Sequence, residues 1–129
     1  MNATVSVAVA AVSAFLVSSI WYRALSPLEA RALGPAALNR GRPSPGKALL
    51  ELLRSVLVAA VIAGVARTSH LQTVGSTILL GLALWLGFPF VLLTGSMLWD
   101  RVPTATAALH AGDWLLKLVL ISAIVGLWL

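Results

Sequence analysis

Four runs of roughly 20 apolar residues, separated by short polar connections, leave this chain little choice of fold. A run of that length crosses a hydrocarbon core about 30 Å thick as a helix. Within lipid every backbone N–H and C=O must find its partner inside the chain, which only helices and closed barrels achieve. The runs fall at about residues 4–22, 48–66, 74–98 and 105–128 of 129. We therefore read one all-α integral membrane domain over residues 1–129, a four-transmembrane-helix bundle. The composition agrees: 60% of the residues are hydrophobic and 10% charged, where soluble domains carry about 25% charged residues.

The same inventory excludes several classes of function. With no cysteine there are no disulfides, thiolate metal sites or cysteine nucleophiles. No glycine-rich phosphate loop, HExxH motif or Ser/His/Asp set is present, so neither an enzyme nor a cofactor or metal is expected. The net charge is +5, but the basic residues gather in one connection without interleaved aromatics, which argues against nucleic acid as a partner. The first run has no Lys or Arg before Arg23 and is too long for the apolar stretch of a signal peptide, so it reads as a permanent first helix.

The connections give topology. The first, residues 23–47, contains Ser26-Pro27-Leu28-Glu29, the N-cap, N1 proline and N3 glutamate of a capping box, and then Gly34-Pro35 as a stop. This predicts a short juxtamembrane helix followed by a flexible Pro/Gly/Arg-rich stretch. Arg23, Arg31, Arg40, Arg42 and Lys47 lie in this connection and Arg101 in the third, against Arg67 alone in the second. Lys and Arg near membrane spans stay cytoplasmic. The expected location is thus the bacterial cytoplasmic membrane, multi-pass, with both termini outside.

Inside this apolar background, the segment "LHAGDWLLKLVLI" places His110, Asp113 and Lys117 in the fourth span. If Trp128 marks the outer interface, Lys117 lies about 16 Å below it, Asp113 about 6 Å deeper and His110 near the inner boundary. His110, Asp113, Trp114, Lys117 and Ile121 share one helical face. Glu51 and Arg54 enter the second span from the same side, where Trp21 and Tyr22 close the first. Charges cost about 2.5–3.5 kcal/mol each within a membrane span and usually face the interior and find partners.

Two readings follow. In one, Asp113 with Lys117 (i,i+4) and Glu51 with Arg54 (i,i+3) neutralise each other, or Asp113 reaches Arg54 and Glu51 reaches Lys117, pinning the second helix to the fourth. The protein is then structural or accessory, acting through helix packing or partner contact. In the other, His110, Asp113 and Glu51 form the proton or solute site of a small transporter or channel. Pro89, in "LWLGFPFVLL", should kink the third span by removing the bond to the carbonyl of Trp85, as broken helices at transport sites do. The candidate intramembrane site is therefore His110, Asp113, Lys117, Glu51 and Arg54, with Trp114, Trp21, Tyr22 and Pro89 as contributors. Small residues recur every fourth position at Ser6/Ala10/Ala14/Ser18, Ala60/Gly64 and Ser122/Gly126, marking close-packing faces. They are expected to pack within the chain, while a bundle this small also suits a homo-oligomer or a membrane protein partner in the lipid bilayer.

The stretches "IWYRALSPL", "LWLGFPFVLL" and "LWDRVPTATAALHAGDWLLKLVLISAIVGLWL" resemble a family of small bacterial membrane proteins grouped as domain of unknown function 1761. The resemblance covers nearly the whole chain and is strongest over residues 84–129. It implies a four-helix membrane fold, with Trp21 and Tyr22 as the aromatic pair leaving the first helix, and lends no activity.

Overall fold

The computed structural model describes residues 2–34 and 44–129. They form helices α1 (Ala3–Leu33), α2 (Pro45–Thr68), α3 (Val74–Gly87), α4 (Pro89–Trp99) and α5 (Thr104–Leu127). With α3 and α4 counted as one broken span, four helical units are long and apolar enough to cross a membrane. The protein is an all-helical, multi-pass membrane bundle.

Side chains placed by the sequence start these helices. The Asn2 carboxamide accepts from the Val5 N–H at 2.9 Å. Ser44 accepts from the Lys47 N–H at 3.2 Å, with Pro45 preset at the first position of α2. Thr73 and Ser76 form a reciprocal capping box on α3.

The segment expected as a separate juxtamembrane helix is helical but fused to the first span. Extending a formed helix requires no new nucleus, and the Ser26 hydroxyl, instead of capping, donates back to the Tyr22 carbonyl beside the gap left by Pro27. At 31 residues α1 is about 46 Å long, well beyond a 30 Å core, so its last turns stand clear of the hydrocarbon. It ends at Gly34, whose φ of +87° is open to glycine and whose N–H bonds the Ala30 carbonyl at 2.8 Å. Pro35, Arg40 and Arg42 lie outside the described residues, as does the flexible stretch expected there.

The expected kink at Pro89 is a full break. Phe88 leaves helical geometry (φ −123°, ψ −76°), its N–H still bonds the Leu84 carbonyl, and Pro89 starts α4 as an N1 proline.

Helix α5 packs against every other helix, most extensively α1 and α3, whose own backbones do not approach each other closely; α2 closes on α1 and α5 and meets α3 only marginally. The core is a layer of Ala10, Ala14, Ala59, Ile62, Ala63, Leu118, Ile121 and Val125. Two glycines set the α3–α5 approach: a Cβ on Gly81 would stand 2.8 Å from the Leu118 carbonyl oxygen, and one on Gly126 would stand 2.9 Å from the Val74 Cα. The stripes Ser6/Ala10/Ala14/Ser18 and Ser122/Gly126 are buried as expected. Ala60 and Gly64 are exposed; α2 instead packs through Ser55, Ala59, Ile62, Ala63 and Ala66, a face rotated by one residue. Outward-facing Leu16, Ile20, Leu57, Leu79, Leu92 and Leu98 leave an apolar exterior.

Candidate polar clasp between three helices

On α5 the four-residue step from Asp113 to Lys117 puts a carboxylate below an ammonium on the face turned toward α1 and α2. The two meet at 3.3 Å, Lys117 Nζ to Asp113 Oδ2. Both are deep inside the bundle, with Asp113 2% and Lys117 8% exposed. Asp113 also accepts from two hydroxyls of α1: Ser18 on Oδ1 and, at 3.3 Å, Tyr22 on Oδ2. Ser18 and Tyr22 are four residues apart and so share the face that α1 turns to α5.

Lys117 has two further neighbours. Its ammonium lies 4.0 Å from Glu51 Oε2 on α2 and 5.1 Å from the ring centre of Trp114, within cation–π range. Glu51 in turn pairs with Arg54 one turn along its own helix, where both side chains are about half exposed. Of the pairings open from the sequence, Asp113 takes Lys117 rather than Arg54, and Glu51 takes Arg54 while also reaching Lys117. Two carboxylates and two cations thus form one neutral set spanning α2 and α5, bound to α1 by hydroxyls. A buried pair kept with its hydrogen bonds avoids the penalty of an uncompensated charge.

At the open end of the cluster, the Tyr22 hydroxyl lies 2.6 Å from His110 Nδ1 and the two rings meet at 58° with centroids 5.6 Å apart. Tyr22 therefore touches His110 and Asp113 with one oxygen. Trp21 does not enter the charged set: its indole N–H donates to the Leu109 carbonyl at 2.9 Å and its ring lies against Gly112. Trp85 on α3 makes the corresponding bond to the Ala111 carbonyl, also at 2.9 Å. Two indoles, one from α1 and one from α3, so fix the N-terminal half of α5.

Five of the residues singled out from the sequence, His110, Asp113, Lys117, Glu51 and Arg54, surround one cavity of about 510 Å³, together with Trp114, Tyr22, Ser18 and Ser55. Pro89 does not line it. The break at Pro89 borders an apolar groove of about 470 Å³ between α2 and α4, reached from the other side of Trp114. Sequence spacing does not single out the hydrogen bonds of Ser18 and Trp85 or the place of Ser55 in the cavity lining. Ser18 carried a usable signal, since the stripe Ser6/Ala10/Ala14/Ser18 continues in the same register to Tyr22. Among the described residues, no cluster of three or more His, Asp or Glu is arranged to hold a metal.

The arrangement can do two things: tie three helices together through charge and hydroxyl contacts, and hold protons at His110, Tyr22 and Asp113. The family model described as "Protein of unknown function (DUF1761)" matches residues 5–126. No curated protein and no solved structure matches the chain.

Proposed function

The chain belongs to the DUF1761 family, and with that as the premise we propose that it is an accessory protein of the bacterial cytoplasmic membrane, acting through helix packing and contact with a membrane partner or a second copy. In this reading the first and third connections are cytoplasmic and both termini face outward. Six basic residues of the first and third connections against Arg67 in the second support that orientation.

One observation carries the accessory reading: the charged groups at depth are engaged with one another. Asp113 is held by Lys117, Ser18 and Tyr22, and Glu51 by Arg54. A set already balanced within the chain is suited to fixing helix positions. The test is the mass of the protein–detergent complex in mild detergent, with crosslinking beforehand in the membrane. Self-association or a stoichiometric partner is the expected result, and a lone monomer with nothing crosslinked contradicts the reading.

The cavity of about 510 Å³ favours a second reading, a proton-linked small-solute transporter or channel. It requires pH-dependent flux in proteoliposomes that Asp113→Asn abolishes in a folded protein. Flux unchanged by that substitution excludes it.

A further inference from the structure

The seam between α1, α2 and α5 holds two cavities. One, of about 510 Å³, contains Asp113 and lies toward the first and third connections. The other, of about 410 Å³, lies at the end bearing the termini and is lined by Ser6, Arg67, His70, Val125 and Trp128 among others. Both are roomy enough for many waters, each occupying about 30 Å³, and both present several polar partners.

Between them the seam is dry. Ala10, Ala14, Ala59, Ile62, Leu118 and Ile121 fill it, each 4% exposed or less. On α2 the lining changes from Ser55 of one cavity to Ala63 of the other, and on α5 from Lys117 to Val125. Each step is eight residues, about 12 Å of helix. A hydrocarbon thickness of about 30 Å is thereby reduced to a septum less than half as thick.

We propose that this seam is an occluded proton pathway, with an aqueous vestibule at each end, the alanine-rich septum as its gate, and Asp113, one turn of α5 from the septum, as the proton acceptor of the inner vestibule. The inference rests on the transport reading. Protons, and not larger solutes, are indicated by two features. The septum, filled by side chains, leaves no room for a larger molecule, and groups of the inner vestibule form a chain that carries protons from its open end inward: His110 Nδ1 to Tyr22 OH at 2.6 Å, and Tyr22 OH to Asp113 Oδ2 at 3.3 Å.

The transfer balances. Imidazolium His110 gives its Nδ1 proton to the Tyr22 oxygen while Tyr22 gives its hydroxyl proton to Asp113 Oδ2. The products are neutral imidazole, an unchanged phenol and a neutral carboxylic acid. The groups facing this step are Tyr22 from α1, Glu51 and Arg54 from α2, and His110 and Lys117 from α5 itself; α3 and α4 carry no ionisable side chain. Once Asp113 is neutral, Lys117 keeps only Glu51, at 4.0 Å, as an anionic neighbour. Protonation therefore loosens the tie between α5 and α1 and tightens the one between α5 and α2, the kind of shift that opens a seam between them.

Because the chain has no cysteine, single cysteines report access without background. Ser55→Cys, Ala59→Cys and Ala63→Cys lie along one line of α2 and are treated in sealed vesicles with a membrane-impermeant methanethiosulfonate from either side. The pathway requires Ser55→Cys to react only from the side of the first and third connections, Ala63→Cys only from the side of the termini, and Ala59→Cys from neither. Proton leak is then followed with an entrapped pH dye. Ile62→Asn, or the milder Ala59→Ser where Ile62→Asn does not fold, should wet the septum and raise the leak by about tenfold or more. Adding Asp113→Asn, or Tyr22→Phe where that combination does not fold, should return it to the wild-type level. Protection of Ser55→Cys from both sides overturns the pathway, and if wild-type flux is still pH-dependent the transport reading survives it. The expected labelling without any leak in the wetted variants overturns both.

Discussion

Replacing Gly112 with alanine should cost stability where the same change at Gly64 should not. A Cβ at Gly112 would enter the Trp21 ring, standing 2.8 Å from Cη2 and closer still to Cζ2, whereas one at Gly64 meets nothing within 4 Å. The ring would have to swing away, and the indole bond to the Leu109 carbonyl, now 2.9 Å, would go with it. Overpacking of this kind costs about 1–3 kcal/mol, and an interhelical hydrogen bond in a membrane about 0.6 kcal/mol. Alanine gains about 1 kcal/mol over glycine in a helix interior, so the net loss at Gly112 is about 0.6–2.6 kcal/mol. Both sites lie within long helices, so that gain cancels in the comparison, and Gly112→Ala should fall about 1.6–3.6 kcal/mol below Gly64→Ala. Unfolding in one detergent, followed by circular dichroism, measures the difference. Trp21→Phe in the Gly112→Ala background should recover most of it, because the smaller ring vacates the space. Equal stabilities for the two alanine variants would refute the contact between α1 and α5 on which the clasp depends.

Other consequences follow from the same contacts. Tyr22→Phe removes the hydroxyl shared by His110 and Asp113; it should cost about 0.6–1.7 kcal/mol and move the ¹⁵N resonances of the His110 ring, and unmoved resonances would contradict the bond. Pro89→Ala returns an N–H that can bond the Trp85 carbonyl and should straighten the third span. Spin labels on Leu79→Cys and Leu98→Cys, both exposed positions, should then move apart by a few ångström, on the order of one to two residues of helical rise; an unchanged distance would assign the break to packing around Phe88.

Much of this was written in one dimension. Four apolar runs specified four spans, because length against membrane thickness is a local property. The pairs Asp113/Lys117 and Glu51/Arg54 were equally readable, since helical spacing alone brings them together. The fusion of Ser26–Leu33 to α1 was not: a capping box and a serine bonding back to its i−4 carbonyl use the same residues, and only the continuity of the preceding helix chooses between them. Rotation about a helix axis was also hidden. Whether α2 packs through Ala60 and Gly64 or through Ala59 and Ala63, and whether Pro89 faces the polar cavity or the apolar groove, depends on neighbouring helices. The tryptophans show the same limit. Trp21 and Trp85 find backbone carbonyls of α5 across helix boundaries, and no spacing within either helix reports the partner.

The central claim is that the charged groups of α5 are mutually compensating. A thermodynamic cycle of wild type, Asp113→Asn, Lys117→Met and the double variant in one detergent tests it most directly. Breaking a buried ion pair by removing one partner costs about 3–5 kcal/mol. The figure here should fall to about 2–3 kcal/mol, because Lys117 retains Glu51 at 4.0 Å and the Trp114 ring, and Asp113 retains the Ser18 and Tyr22 hydroxyls. Each single variant should lose that amount, and the double variant should return to within about 1 kcal/mol of wild type. Additive losses, or an Asp113→Asn protein as stable as wild type, would contradict the claim and leave the carboxylate with a purpose other than folding.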